Sequence, residues 1–413
     1  MTKTVYHGAT LIDGTGADPR PNASVLVEDG VIRRIGTTDS IGRPADGQVI
    51  DLDGLTLMPG LTDAHVHFGA LGVNSLSDRT PDDNLTTYVL GVVENMRTAL
   101  QEGFTTVRDA GGLDPAFARA VADGLIEGPE ILPSGSVLSQ TGGHCDARNR
   151  YDDQPLKSIP GVLARAALCD GVDAVRAAAR QQLRLGATQV KLMASGGVMS
   201  PTDELESVQF TVEEMAAATH EAEAAGKYTM AHCHTSPAMN NALAAGVRSL
   251  EHGSMLDEAT AARIVEAGAY MVATLAILDV LTEALDPETS GHGYMKLELI
   301  RTEMPASVRL AVRSGVTIGS GSDLLGSRQS RRGAELAAKA PIMGPMEAIV
   351  SATRTNSRLF RLDDRIGTVE EGKQADLIAV AGDPLSDMSL LADGSNVRIV
   401  VKAGRIVKDT RSG

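Results

Sequence analysis

Met58-Pro59-Gly60-Leu61-Thr62-Asp63-Ala64-His65-Val66-His67-Phe68 is an apolar, β-favouring run that ends in two histidines spaced i and i+2. Alternation along a strand sends both imidazoles to one face. Two imidazoles on one face make half a metal site, or a pair of satisfied histidines at a strand end. Partners elsewhere in the chain decide between the two.

Downstream of this run, from about Met58 to Asp364, strand and helix signals alternate. The strand candidates are Gly60–Phe68, Thr105–Ala110, Glu130–Val137, Gln189–Ala194, Tyr228–His232, Ser249–Glu251, Tyr270–Leu275 and Val316–Ser320. Helical patterns fill the gaps at Leu85–Gln101, Pro115–Leu125, Val172–Leu185, Val212–Ala225, Pro237–Ala245, Glu258–Ala267 and about Lys296–Ser314. Thr211 with Glu214 reads as a capping box. Ser236 precedes Pro237 at a first helical position, and Gly226, Gly246 and Gly268 stand at helix ends. Eight βα units in succession predict an α/β fold of the (β/α)8 TIM-barrel type. A doubly wound open sheet would need a Gly-rich phosphate turn after an early strand, and none is present. Ser139–Cys169 and Leu275–Lys296 follow the third and seventh strands, where active-site loops of such barrels lie, and are the expected substrate-covering segments.

Upstream, short alternating runs (Thr10–Ile12, Ser24–Val27, Val31–Ile35, Gln48–Leu52) are separated by Asp13-Gly14, Asp29-Gly30 and Asp53-Gly54. This is hairpin chemistry and predicts a small antiparallel sheet. The far end is similar, with Asp376–Val380, Val397–Lys402 and Arg405–Lys408, the last two joined by Ala403-Gly404. Neither end can bury a core alone, so residues 1–57 and 365–413 are expected to combine into one β-sandwich domain beside a barrel of residues 58–364.

Composition narrows the function. The 413 residues carry 53 acidic against 38 basic side chains, a net charge of −15, with no basic block. That argues against nucleic acid or an anionic membrane as partner. Cys145, Cys169 and Cys233 are an odd number at irregular spacing, so neither a disulfide framework nor a CxxC zinc site is implied. No secretory leader is legible at the N-terminus, and no window is apolar enough to span a membrane, which together predict a cytoplasmic protein.

The C-terminal ends of the expected strands collect His65 and His67, Lys191, His232 and His234, His252, and Asp323. The C-terminal rim of a barrel gathers such residues into one pocket. His65, His67 and Asp323 could hold one divalent ion, and His232 with His252 a second. The nitrogen and oxygen donors suit Zn²⁺, with Mn²⁺ or Co²⁺ as alternatives. Lys191 is a strand lysine paired with a carboxylate, a Schiff-base nucleophile, or an amine that adds CO₂; the carbamate could bridge ions about 3.5–4 Å apart in a two-metal site. The company of histidines favours the carbamate.

The motifs Pro59-Gly60-Leu61-Thr62-Asp63-Ala64-His65-Val66-His67, Glu251-His252-Gly253, Gly321-Ser322-Asp323 and the closing Gly367–Ile378 segment resemble the metal-dependent amidohydrolase superfamily from end to end. Thr106–Gly112, Ser139–His144 and Lys191–Gly197 narrow the resemblance to the branch of Xaa-Pro dipeptidases, arginine carboxypeptidases and ochratoxinase-like amidases. This resemblance implies two metals, His65, His67 and Asp323 on one, His232 and His252 on the other, and carboxylated Lys191 between them. A metal-bridging hydroxide would attack the amide, and Asp323 would carry its proton to the departing amine. His144 and His234 would bind the oxyanion or the substrate carboxylate, or else only pack. Arg148 and Arg150, in the loop after His144, are candidates for the α-carboxylate, with surface arginines as the alternative.

The implied function is release of a C-terminal amino acid from a small dipeptide, an Xaa-Pro dipeptidase first. His234 stands where some proline-releasing members carry tyrosine, which keeps a broader N-acyl amino acid amidase, ochratoxin-type aryl amides included, as the alternative. A mononuclear deaminase usually lacks the strand-four lysine, and a non-catalytic scaffold should have lost ligands. The resemblance also implies a homo-oligomer, an octamer among the assemblies it allows.

Overall fold

The computed structural model describes residues 3–42, 46–71, 85–151, 153–154, 157–200, 202–288, 290–326 and 329–411. Two compact units are present. One comprises Met1–Asp63, Arg97–Thr106 and Ser330–Gly413, the other Ala64–Met96 and Val107–Gln329.

In the first unit both ends of the chain enter a single eight-stranded sheet. Its order is Arg405–Asp409, Val397–Lys402, Leu377–Ala381, Leu55–Pro59, Lys3–Leu11, Arg20–Glu28, Val31–Thr37, with Gln48–Asp51 also paired to Lys3–Leu11. The alternating pattern works as expected: Tyr6, Leu11, Val25, Val27, Ile32, Leu57, Leu377, Ile399 and Val401 pack into one buried cluster. Asp29-Gly30 closes a two-residue hairpin with φ 49° and 81°, as a type I′ turn requires. Asp53-Gly54 is no hairpin turn. Gln48–Asp51 and Leu55–Pro59 both run parallel to Lys3–Leu11, against Thr4–His7 and Thr10–Leu11 respectively, so the pair only bends the chain along one neighbour. The sheet is therefore mixed, where hairpin signals alone predicted an antiparallel one.

All eight expected strands of the central segment are present, with shifted bounds. Leu61–Val66, Phe104–Asp109 and Glu130–Leu132 form a three-stranded sheet. Ala167–Leu168, Leu138–Ser139, Val190–Met193, Thr229–Thr235, Ser249–Met255, Tyr270–Ala273 and Thr317–Ser320 form a seven-stranded parallel sheet. The third strand was expected to reach Val137 but stops at Leu132. Pro133 has no amide hydrogen to donate and Gly135 turns the backbone to φ 72°, after which Leu138 resumes pairing against Leu192.

The helices follow their caps. Thr211 and Glu214 make the reciprocal capping box that opens Val212–Ala224. The helix Ser236–Ala244 is capped by Thr235, whose hydroxyl accepts from Ala238 N; Ser236 is already helical and Pro237 follows it. Leu275–Lys296, expected as a loop, contains the helix Ile277–Ala284 and the start of Gly291–Arg313. Ile277, Leu278, Val280 and Leu281 bury one face of that short helix, the periodicity of an amphipathic segment. Among the described residues no helix is long and apolar enough to cross a membrane.

Candidate active site

The strand Leu61–Val66 delivers His65 and His67 to one place, with Nε2 to Nε2 3.2 Å apart. His65 donates Nδ1–H to Glu251 Oε2 at 2.7 Å; that carboxylate also accepts from Arg108 and from Ser249, so the imidazole must be the donor. His67 donates Nδ1–H to the Gly111 carbonyl at 2.8 Å. With both Nδ1 protons so committed, both neutral rings face each other with Nε2 lone pairs. Asp323 Oδ1 lies 3.5 Å from one and 3.4 Å from the other. Three electron-pair donors converging in a buried site repel one another unless a cation lies among them, and these three make a compact ligand group.

Asp323 reaches this position through two local features. Its amide donates to the His65 carbonyl at 2.8 Å, and its backbone is left-handed at φ 53°, a strained conformation of the kind found at functional sites. Two residues earlier, a Cβ on Gly321 would lie 2.6 Å from His65 Cβ, so only glycine allows the approach. His252 is left-handed too, at φ 71°.

The parallel sheet supplies the other half. Its register sets Lys191 beside Met230, Met193 beside His232 and Cys233 beside His252. His232 Nε2 is held by the Gly196 carbonyl at 3.0 Å, leaving Nδ1; His252 Nδ1 bonds Thr274 Oγ1 at 2.8 Å, leaving Nε2. The His232 and His252 ring centroids are 4.6 Å apart. Lys191 is 1% exposed and hydrogen-bonds no described residue. Burial pushes its amine below the usual lysine range, against the pull of Glu251 and Asp323. His234 Nδ1 bonds Ser254 Oγ at 2.8 Å, and His144, stacked 4.3 Å from His232, bonds Ser200 Oγ at 3.1 Å. Burial first, and then Lys191, lower His67 to about 4; burial also lowers His144 to about 4 and His234 to about 3, so these rings are neutral at physiological pH.

One cavity gathers His65, His67, Lys191, His232, His234, His252, His144 and Asp323. Arg148 and Arg150 do not line it. Arg148 forms a two-point pair with Asp146, Nε to Oδ1 at 2.7 Å and Nη2 to Oδ2 at 2.6 Å, and Arg150 is exposed. Arg165, from the same long loop, does line the cavity. The remaining wall is apolar, including Leu163, Met193, Met199, Ile277, Ile300 and Met304.

Sequence reasoning missed the supports. Glu251 and Arg108 are fully buried and paired at 2.9 Å, and Asp109 accepts from Phe68 N and Gly111 N while burial lifts its carboxyl to about 7. Their signal was a charge inside an apolar strand, Arg108-Asp109 in Phe104–Asp109 and Glu251 in Ser249–Met255, since buried charges are seldom unpaired. Which charge meets which was not legible.

Residues 56–407 match the amidohydrolase family, a superfamily that generally works with divalent metals. The ochratoxinase of Aspergillus niger is 31% identical over 426 residues, covering 98% of this chain and 86% of its own. A prolidase complexed with N-methylphosphonate-L-proline superposes with a TM-score of 0.92 at 37% identity, over 99% of this chain and 100% of that one. A Xaa-Pro dipeptidase with methionine bound in its active site gives 0.88 at 30% identity, over 98% and 100%. With a family match over most of its length, and relatives of this identity along nearly all of it, the chain belongs to the amidohydrolase family and is a hydrolase.

Proposed function

We propose that the protein is a binuclear metal-dependent amide hydrolase that releases a C-terminal amino acid, an Xaa-Pro dipeptidase first. The observation that carries this reading is the convergence of His65 Nε2, His67 Nε2 and Asp323 Oδ1 on one point with both Nδ1 protons directed outward. The similarity to a prolidase holding a phosphonate analogue of a proline peptide supports the substrate class.

In this reading His65, His67 and Asp323 would hold one ion, His232 Nδ1 and His252 Nε2 would hold the other, and Lys191 would contribute as its carbamate. Burial lowers this amine below the usual lysine range, the direction that favours CO₂ addition. The ions, Zn²⁺ by donor type, would supply activation of water and polarisation of the scissile carbonyl. Asp323 takes the proton of the attacking water and hands it to the departing amine. Arg165 meets the α-carboxylate, with Arg148 and Arg150 the other guanidiniums of that loop. The eight strands close as a (β/α)8 barrel within residues 58–364, and residues 1–57 and 365–413 make up the sheet domain in place of the expected β-sandwich, in a cytoplasmic homo-oligomer.

The apolar cavity wall and the ochratoxinase similarity favour a second reading, an amidase for N-acyl amino acids and aryl amides. Metal content measured together with turnover of an Xaa-Pro dipeptide library and an N-acyl amino acid panel separates the two. Two metal equivalents and proline release establish the first; turnover of the acyl panel alone replaces it with the second. Light scattering gives the assembly.

A further inference from the structure

Behind His144 lies a buried polar network that the reaction outlined above does not use. Ser200 Oγ has three neighbours: His144 Nδ1 at 3.1 Å, the Gly197 carbonyl at 2.9 Å and Asp203 Oδ1 in a short contact. Asp203 Oδ2 accepts from Gln209 Nε2 at 2.6 Å, and the Lys296 ammonium stands 3.6 Å from Oδ1. Gln209 in turn accepts the His144 amide at Oε1, 2.9 Å, which fixes its own orientation. Lys296 also donates to the carbonyls of Gly197, Ser200 and Asp203, tying the segment down. Ser200, Asp203, Gln209 and Lys296 are all buried.

A count of protons sets the direction of every bond. Asp203, between an ammonium and an amide donor, is a carboxylate and can only accept; the Gly197 carbonyl can only accept. The single hydroxyl proton of Ser200 goes to one of these two. Ser200 Oγ must therefore accept from His144, and the neutral ring is the Nδ1–H tautomer. Its Nε2, on the ring that lines the cavity, is left as a lone pair.

We propose that Ser200 and Asp203 are positioning residues that lock His144 as a hydrogen-bond acceptor at Nε2, and that this acceptor receives the N-terminal ammonium of a dipeptide substrate. An oxyanion or a carboxylate, the partners expected of His144 from sequence, would find no donor there. His144 stacks 4.3 Å from His232 and lines the same cavity, so its acceptor serves a cationic donor of a substrate bound there. In a dipeptide that donor is the α-ammonium; a simple acyl chain has none. The substrate half of the inference rests on the dipeptidase reading, and the tautomer half stands without it.

Two measurements test it. In ¹⁵N-histidine-labelled protein, with His144 assigned by its absence in His144→Gln, the ring should show a protonated Nδ1 and a bare Nε2. Ser200→Ala should lose that preference, while Ser200→Thr keeps it. Alanyl-proline and propionyl-proline differ only in the ammonium. Ser200→Ala and Asp203→Asn should raise KM for alanyl-proline about 10-fold, leave propionyl-proline within about 2-fold, and spare kcat, with Ser200→Thr near wild type. A protonated Nε2 in the wild type overturns the proposal, as does an equal loss on both substrates. If the wild-type enzyme hydrolyses neither, the dipeptidase reading fails, and with it the ammonium assignment; the nitrogen spectra then decide the tautomer alone.

Discussion

The two sides of the cavity are built from the same residue type held in opposite ways. On the His65–His67 side the outward nitrogens are tied to a carboxylate and a carbonyl, pure acceptors, and the inward nitrogens converge with Asp323. On the His144–His234 side the outward nitrogens bond serine hydroxyls, Ser200 and Ser254, and the rings stack in series, His144 on His232 and His234 on His252. A carboxylate behind an imidazole raises its basicity and suits a cation in front. A hydroxyl does so less and suits an oriented neutral ring. In the proposed mechanism the first side would hold a cation and the second would meet substrate.

The largest effect that this contrast predicts falls on the charge-holding side. Asp323→Asn should cut kcat about 10³-fold and lower metal content, measured by steady-state kinetics and elemental analysis, because the proposed mechanism makes Asp323 both proton carrier and ligand. Lys191→Ala should also lose metal; full occupancy and full activity in that variant would remove the carbamate from the mechanism.

Glu251→Gln comes next. It leaves Arg108 buried without its counter-charge and should cost about 3–5 kcal/mol in denaturant unfolding, with a 10–100-fold weaker metal affinity through His65. Unchanged stability would mean that Arg108 is held by its bond to the Ala64 carbonyl at 2.7 Å instead.

Ser254→Ala, on the substrate side, should lower kcat/KM about 10-fold with metal content untouched, since it frees the His234 ring without touching a ligand. A loss of metal there would erase the distinction between the two sides.

The smallest effect is on pH dependence, in metal-free protein. His67 at about 4, His144 at about 4 and His234 at about 3 titrate in the fold well below an unfolded histidine near 6.5. Between those values the unfolded state binds more protons, so stability falls as pH drops from about 6.5 towards 4. Asp109, lifted to about 7, opposes this, because its native carboxyl binds the proton first and its contribution is lost as pH rises through 7. Asp109→Asn should therefore steepen the acid loss, as read from the pH dependence of the unfolding midpoint.

What local rules govern was legible in the chain. Alternation put His65 and His67 on one face, Thr211 with Glu214 opened a helix, Asp29-Gly30 closed a hairpin, and strand ends named the residues that line the cavity. Each depends on neighbours a few residues apart. The helix Ile277–Ala284 was missed, because its position after the seventh strand predicts a loop although its apolar spacing is helical.

Only the tertiary structure decided which distant groups meet. Glu251 backs His65 across 186 residues, Gly111 backs His67 across 44, and Ser200 backs His144 across 56. These contacts set tautomers, and a tautomer decides whether a histidine offers a lone pair or a proton. The same holds for the guanidiniums: Arg148, Arg150 and Arg165 share one loop in sequence, yet only Arg165 of the three lines the cavity, while Arg148 is spent on Asp146. A sequence names the residue types and their spacing, but the direction of a hydrogen bond is fixed by the partner the fold brings to its other end.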